Sequence, residues 1–88
     1  MKINFTETGW RDYLYWEEQD KKALKQINKL IADIERNGYV GIGKPEPLRG
    51  DLSGWWSRYI YKKNRLVYRL VGNESVEISQ CKDHYGNN

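Results

Sequence analysis

Cysteine and histidine each occur once in the 88 residues, proline only twice, and no long apolar run is present. The lone Cys81 excludes an intrachain disulfide and a thiolate-rich metal centre, which fits a reducing compartment. No stretch approaches the roughly 20 apolar residues of a membrane span. The opening Met1-Lys2-Ile3-Asn4-Phe5 lacks the longer apolar segment of a secretory signal, so the chain is expected in the cytoplasm. No metal and no other cofactor is expected. A chain this short buries only about 60–65% of its unfolded surface, which predicts one domain over 1–88 with a compact core. Four Trp and seven Tyr help to fill it, because each enclosed aromatic removes roughly 150–250 Å² from water.

Charge is scarce in one sign locally rather than overall. The net charge is +3 from 15 basic and 12 acidic residues, too small by itself to name a nucleic-acid partner. Residues 1–43 are balanced, whereas 52–73 carry Arg58, Lys62, Lys63, Arg65 and Arg69 with no Asp or Glu. Such a segment suits phosphate contacts; lysines guarding a solvated strand edge would give the same bias.

Along the chain, Lys2–Phe5 alternates polar and apolar residues as a short strand does, and ends at Thr6-Glu7-Thr8-Gly9. Trp10, Tyr13, Leu14 and Trp16 predict a first helix to Gln19, with its apolar residues in the core or a subunit contact. Asp20 is placed to cap a second helix. Leu24, Ile27, Leu30, Ile31 and Ile34 recur at spacings of three and four, and that helix stops at Asn37-Gly38. Glycines and the two prolines break every period from 38 to 54, giving a loop of about 17 residues, a length that is uncommon and often functional. Trp55–Lys62, Arg65–Val71 and Val76–Cys81 read as an antiparallel meander, with Trp56 and Ile60 in its core. On the middle strand Leu66, Tyr68 and Leu70 alternate with Arg65, Val67 and Arg69, so one face covers the helices while the other presents guanidiniums. The fold class is α+β: two N-terminal helices packed on one face of a mainly antiparallel four-stranded sheet.

Both prolines flank one acid, Glu46. Each ring fixes its own φ and pushes the preceding residue toward extended backbone, so Glu46 sits on a stiff segment, as a pre-oriented carboxylate or as a solvated charge on a straightened connector. His84 stands near the end of the sequence given, followed by Tyr85. Strict alternation from Val76 and Ile78 through Gln80 and Lys82 would put His84 on the helix side, so the chain must leave its strand before His84 for that side chain to join Arg65.

The segments "DYLYW", "INKLI", "GKPEPL", "LSGWWSR", "NRLVY" and the terminal "HY" together resemble the YoeB toxins of the RelE superfamily, over nearly the whole chain. The resemblance implies a microbial-ribonuclease-like fold and an endoribonuclease that cuts messenger RNA in the ribosomal A site. It also implies a YefM/Axe-like antitoxin as partner, and a homodimer. By the same resemblance Glu46 is the general base, Arg65 the transition-state arginine and His84 the general acid, with Tyr85 beside it, and Arg58 falls on a basic position. The chain departs from the family pattern at Tyr59, where a second arginine is expected, and at Asp83, where an aromatic or neutral residue is.

Metal-free RNA cleavage needs a base on the 2′-hydroxyl, an acid on the departing 5′-oxygen and cations around the phosphorane-like charge. Glutamate is ionised at neutral pH and histidine partly protonated, so Glu46, His84 and Arg65 match those needs. Tyr85 supports His84, stacks on a base or plugs the sheet end. Lys44, Arg49, Arg58, Lys62, Lys63, Arg69 and Lys82 are expected to steer toward mRNA or ribosomal RNA phosphates. Two other classes stay open: a module that occupies RNA or the ribosome without cutting, and a gyrase-poisoning relative on the same scaffold.

Overall fold

The computed structural model describes residues 1–84. Strand β1 (Lys2–Phe5) leads into helices α1 (Glu7–Gln19) and α2 (Lys21–Asn37). Then come β2 (Glu46–Pro47), a 3-10 turn at Gly50–Leu52, β3 (Trp56–Tyr61), β4 (Asn64–Val71) and β5 (Ser75–Gln80). The sheet order is β1-β5-β4-β3-β2, with β1 parallel to β5 and every other pair antiparallel. The expected α+β arrangement is therefore present with a fifth strand. That strand came from the stretch read as loop: Glu46 pairs with Ser57 and Pro47 with Trp56. A proline has no N–H to donate, so β2 stays two residues long and lies at the sheet edge.

Local chemistry sets the helix limits. The Thr6 hydroxyl accepts from the Gly9 amide at 3.1 Å, and Asp20 accepts from Lys22 and Ala23 at 3.0 and 3.2 Å, as N-caps do. Gly38 closes α2 at φ 69° and ψ −113°, a positive-φ conformation that glycine adopts readily and residues with a Cβ do not. Helix α2 buries Ala23, Ile27, Leu30 and Ile34 against Leu66, Tyr68, Val76 and Ile78 of the sheet. Each Ile, Leu or Val among them contributes roughly 1.5–3 kcal/mol when enclosed. Helix α1 buries Gly9 and Trp16, and Tyr13 packs partly buried against the core. Trp10 and Leu14 remain 49% and 40% exposed, with Trp10 stacked on Tyr13. A Cβ on Gly9 would stand 2.5 Å from the Ile78 carbonyl oxygen, so α1 rides directly on β5 through that residue.

Strand β5 contains a bulge that changes its facing. Tyr68 pairs with Ile78 but Val67 pairs with Gln80, leaving Ser79 as the extra residue. Its carbonyl takes the Thr6 hydroxyl at 2.9 Å. Val76, Ile78 and Cys81 face the core, while Gln80 moves to the opposite face beside Val67. Simple alternation past Ile78 fails at this point.

Arg58 corrects a second expectation. Opposite Leu66 on β4, it lies on the helix side of β3 and is fully buried, where no phosphate reaches it. All five guanidinium N–H groups can be accounted for. Nε donates to the Tyr68 hydroxyl, Nη1 to Asp33 and the Ile42 carbonyl, and Nη2 to the carbonyls of Gly38 and Val40, at 2.6–3.1 Å. The loop after α2 is wrapped around this one cation. The Arg58 hydrogen bond holds the Asp33 carboxyl below its ordinary 3.8, outweighing desolvation.

Replacing Arg58 by Met should cost about 3 kcal/mol, because buried carbonyls and Asp33 lose their partner, and should lower Tm by more than about 10 °C. A depressed carboxylate stabilises fully above its unfolded value and loses that contribution as pH falls through the folded one. Urea midpoints of the native chain should therefore drop below pH 3.8 by more than those of Arg58→Met; parallel acid limbs would contradict the assignment.

Candidate active-site cleft

The sheet face away from the helices carries a row of paired residues. Glu46 on β2, Ser57 on β3, Val67 on β4 and Gln80 on β5 stand opposite one another in succession. The next row joins Tyr59 to Arg65. Side chains of paired residues project to the same face, so segments distant in sequence converge here. Lys44, Glu46, Ser57, Tyr59 and Arg65 line a cleft of about 230 Å³. Depressions of about 300 and 270 Å³ border α2, the first lined mostly by lysines and the second by Asp20, Lys22, Gln26 and Tyr61. Neither sets a carboxylate against an arginine, so chemistry and not volume selects the smaller cleft.

Glu46 is exposed on a segment fixed on both sides. The Gly43 carbonyl accepts from the Tyr59 amide at 2.7 Å, and the Leu48 amide donates to Trp55 at 2.9 Å while the Leu48 side chain is buried. Between them lie Lys44, at φ 53°, and the two prolines. Arg65 is half-buried. Its guanidinium carbon stands 4.8 Å from the Tyr59 ring centroid, and Nη1 donates to the carbonyls of Lys62 and Asn64 at 3.2 Å. The cleft thus pairs a carboxylate carried on a fixed backbone with a guanidinium laid on an aromatic face, an arrangement able to accept a proton at one end and hold an anion at the other.

The segment after β5 is tied down before it reaches His84. Helix α1 grips Cys81: Asp12 accepts from its amide at 3.1 Å and the Trp16 indole donates to its carbonyl at 2.7 Å. Burial pushes the Asp12 carboxyl up, against the lowering effect of that amide. Two residues on, the Arg65 amide donates to the Asp83 carbonyl at 3.0 Å and the Asn64 side chain accepts from the Asp83 amide at 2.8 Å. Asp83 itself has φ 64°, so the chain turns off the strand line here. His84 follows directly and is half-buried. It lies outside the lining of the cleft, one residue from the Arg65 contact. Tyr85 falls outside the described residues.

The other expected cations are scattered. Lys62 and Lys63 are exposed in the β3–β4 turn beside Arg65, and Arg49 is exposed ahead of the 3-10 turn. Arg69, four residues from Arg65 and so roughly 13 Å along the strand, is paired with Glu77 at 2.7 Å and laid over Trp55. Lys82 sits over the Tyr15 ring. Ser57 and Tyr59 were not assigned to the site from sequence, although alternation on β3 puts both on the face opposite Trp56. Asn64 carried no signal beyond being a turn residue.

Residues 5–85 match the family model of the YoeB-like toxin of bacterial type II toxin-antitoxin systems. The chain is 54% identical to Toxin YoeB of Streptomyces coelicolor over 97% of its own length and 100% of that protein's. Among solved structures, the YoeB/ParE toxin from Agrobacterium tumefaciens superposes with a TM-score of 0.93 at 43% identity, covering 97% of this chain and 100% of that one. YoeB from Staphylococcus aureus, solved as a dimer and in a heterotetrameric YoeB-YefM complex, gives a TM-score of 0.89 at 44% identity, covering 97% and 98% of the two chains. With the family model spanning almost the whole chain and half of its residues shared with a curated member, the chain belongs to the YoeB toxins of bacterial type II toxin-antitoxin systems.

Proposed function

We propose that the chain is a metal-independent endoribonuclease that cleaves mRNA in the ribosomal A site and so halts translation. The observation that carries this reading is the cleft that sets Glu46 against Arg65, with the segment leading to His84 bonded to the Arg65 backbone. In the reaction Glu46 takes the proton of the 2′-hydroxyl as its oxygen attacks the adjacent phosphorus. The bond to the 5′-oxygen breaks as His84 delivers a proton to it, leaving a 2′,3′-cyclic phosphate and a free 5′-hydroxyl. Arg65 and Lys44 counter the charge gathering on the phosphoryl oxygens. Tyr85, next to the acid, supports it or stacks on a base.

Arg49, Lys62, Lys63, Arg69 and Lys82 supply sequence-blind attraction to RNA phosphates. For Arg69 that role competes with Glu77. Arg58 is excluded by its burial. The partners of this reading are mRNA on the ribosome, a second copy of the chain, and a YefM-like antitoxin that neutralises it. The dimer and the YoeB-YefM complexes known for the Staphylococcus aureus relative support the last two.

Arg65→Ala, Glu46→Gln and His84→Ala should each lower the rate at which programmed ribosomes acquire new mRNA ends by about 10²–10⁴-fold, with native Tm. Primer extension reads the ends. Undiminished cutting by any one removes that residue from the mechanism. Ribosome binding with intact mRNA would identify a non-cleaving module, and altered DNA supercoiling after induction a gyrase poison.

The Lys62→Ala, Lys63→Ala double variant should bind ribosomes more weakly and reduce the slope of log K against log salt by roughly one to two units. An unchanged slope in a salt titration would place the β3–β4 turn off the RNA.

A further inference from the structure

Asn64 is a buried polar residue at the start of β4, 7% exposed, with no place in the chemistry above. Burying an amide costs free energy unless its hydrogen bonds are replaced. Here Oδ1 accepts from the Asp83 amide at 2.8 Å and Nδ2 donates to the Tyr61 carbonyl at 3.3 Å. The next residue completes the grip, since the Arg65 amide donates to the Asp83 carbonyl at 3.0 Å. Two consecutive residues of β4 therefore hold both backbone polar groups of Asp83.

What they hold is a conformation that an L-residue adopts reluctantly. Asp83 lies at φ 64°, a region that residues with a Cβ rarely adopt, though aspartate tolerates it better than most. Such a residue persists where its surroundings over-determine it. The left-handed residue turns the chain three residues beyond the end of β5, and the next Cα, that of His84, lies about 3.8 Å beyond it. Arg65 is likewise one residue from Asn64. The side chain of Asn64 is thus a strut between the backbone that carries the arginine and the backbone that carries the histidine.

We infer that Asn64 is a positioning residue for His84: by accepting the Asp83 amide it fixes the left-handed turn that sets the imidazole relative to Arg65. This rests on the reading of His84 as general acid. Displacing an acid by about 1 Å costs on the order of 10²-fold in rate while leaving substrate contacts in place. Loss of the strut should therefore appear in the chemical step and not in ribosome affinity.

The test compares Asn64→Ala, which removes both side-chain bonds, with Asn64→Asp, which loses the donor to Tyr61 but keeps the acceptor for Asp83. Single-turnover cleavage at saturating toxin should fall about 10–100-fold in Asn64→Ala, with the half-saturating concentration changed less than about twofold. Asn64→Asp should return to within about fivefold of the native rate. The chain contains one histidine, so its imidazole resonances are unambiguous. They should shift in Asn64→Ala and hold in Asn64→Asp. If Asn64→Ala does not fold, Asn64→Ser carries the same expectation, because its hydroxyl suits a turn but is too short to reach Asp83. Native rate and unmoved imidazole signals in the acceptor-free variant would overturn the inference and leave the nuclease reading intact. If the native chain itself cuts no mRNA, that reading fails, and the imidazole resonances alone decide whether Asn64 places His84.

Discussion

Burying the charge of Arg58 costs several kcal/mol unless every polar hydrogen finds an acceptor, and the fold is organised around meeting that demand. One acceptor comes from α2, one from the neighbouring strand, and three are carbonyls of residues 38–42. Carbonyls so engaged determine where the loop leaves the helix and how it reaches Gly43, which bonds to Tyr59. The stiff Lys44-Pro45-Glu46-Pro47 segment starts from that point. The position of an exposed carboxylate is thus set by a cation on the opposite face of the sheet.

A similar division of labour holds at the other end of the cleft. The core face of β5 is occupied by Val76, Ile78 and Cys81, and α1 rests on the same strand through Gly9 and Trp16. Ser79 breaks the alternation, and Thr6 satisfies the carbonyl this leaves outside the ladder. The segment beyond is then carried by side chains of α1 and of the β3–β4 turn. Glu46, Arg65 and His84 therefore sit beside rigid structure without belonging to the packed core. The packed core and the candidate cleft lie on opposite faces of the sheet.

Strong periodicity was legible in the residues. Helix α2, the meander and the helix-facing set Leu66, Tyr68 and Leu70 follow from spacing, and the proline pair marked Glu46 as unusually constrained. Arg58 was misjudged because its residue type outweighed its position: the alternation that reads Trp56 and Ile60 as core puts the arginine between them on the same face. A bulge adds one residue with no compositional mark, so the facing of β5 past Ile78 was beyond periodicity. Of the α1 residues read as core or subunit contact, Trp16 is buried and Tyr13 partly so, while Trp10 and Leu14 stay exposed because Gly9 brings α1 close along a different line. Asn64 acts through a contact between residues 19 positions apart, for which local pattern holds no information.

Strand β1 has β5 as its sheet neighbour, and β5 lies between β1 and β4. A nascent chain emerging from its first residue onward therefore makes β1 early, but β1 has nothing to pair with until residues 75–80 are synthesised. Closing this non-local parallel contact is entropically costly and slow compared with forming helices. Asp83, three residues beyond β5, then supplies the backbone that bonds to Arg65. Completion of the sheet and anchoring of the segment that carries His84 thus come together, deferred until almost all of the described chain exists.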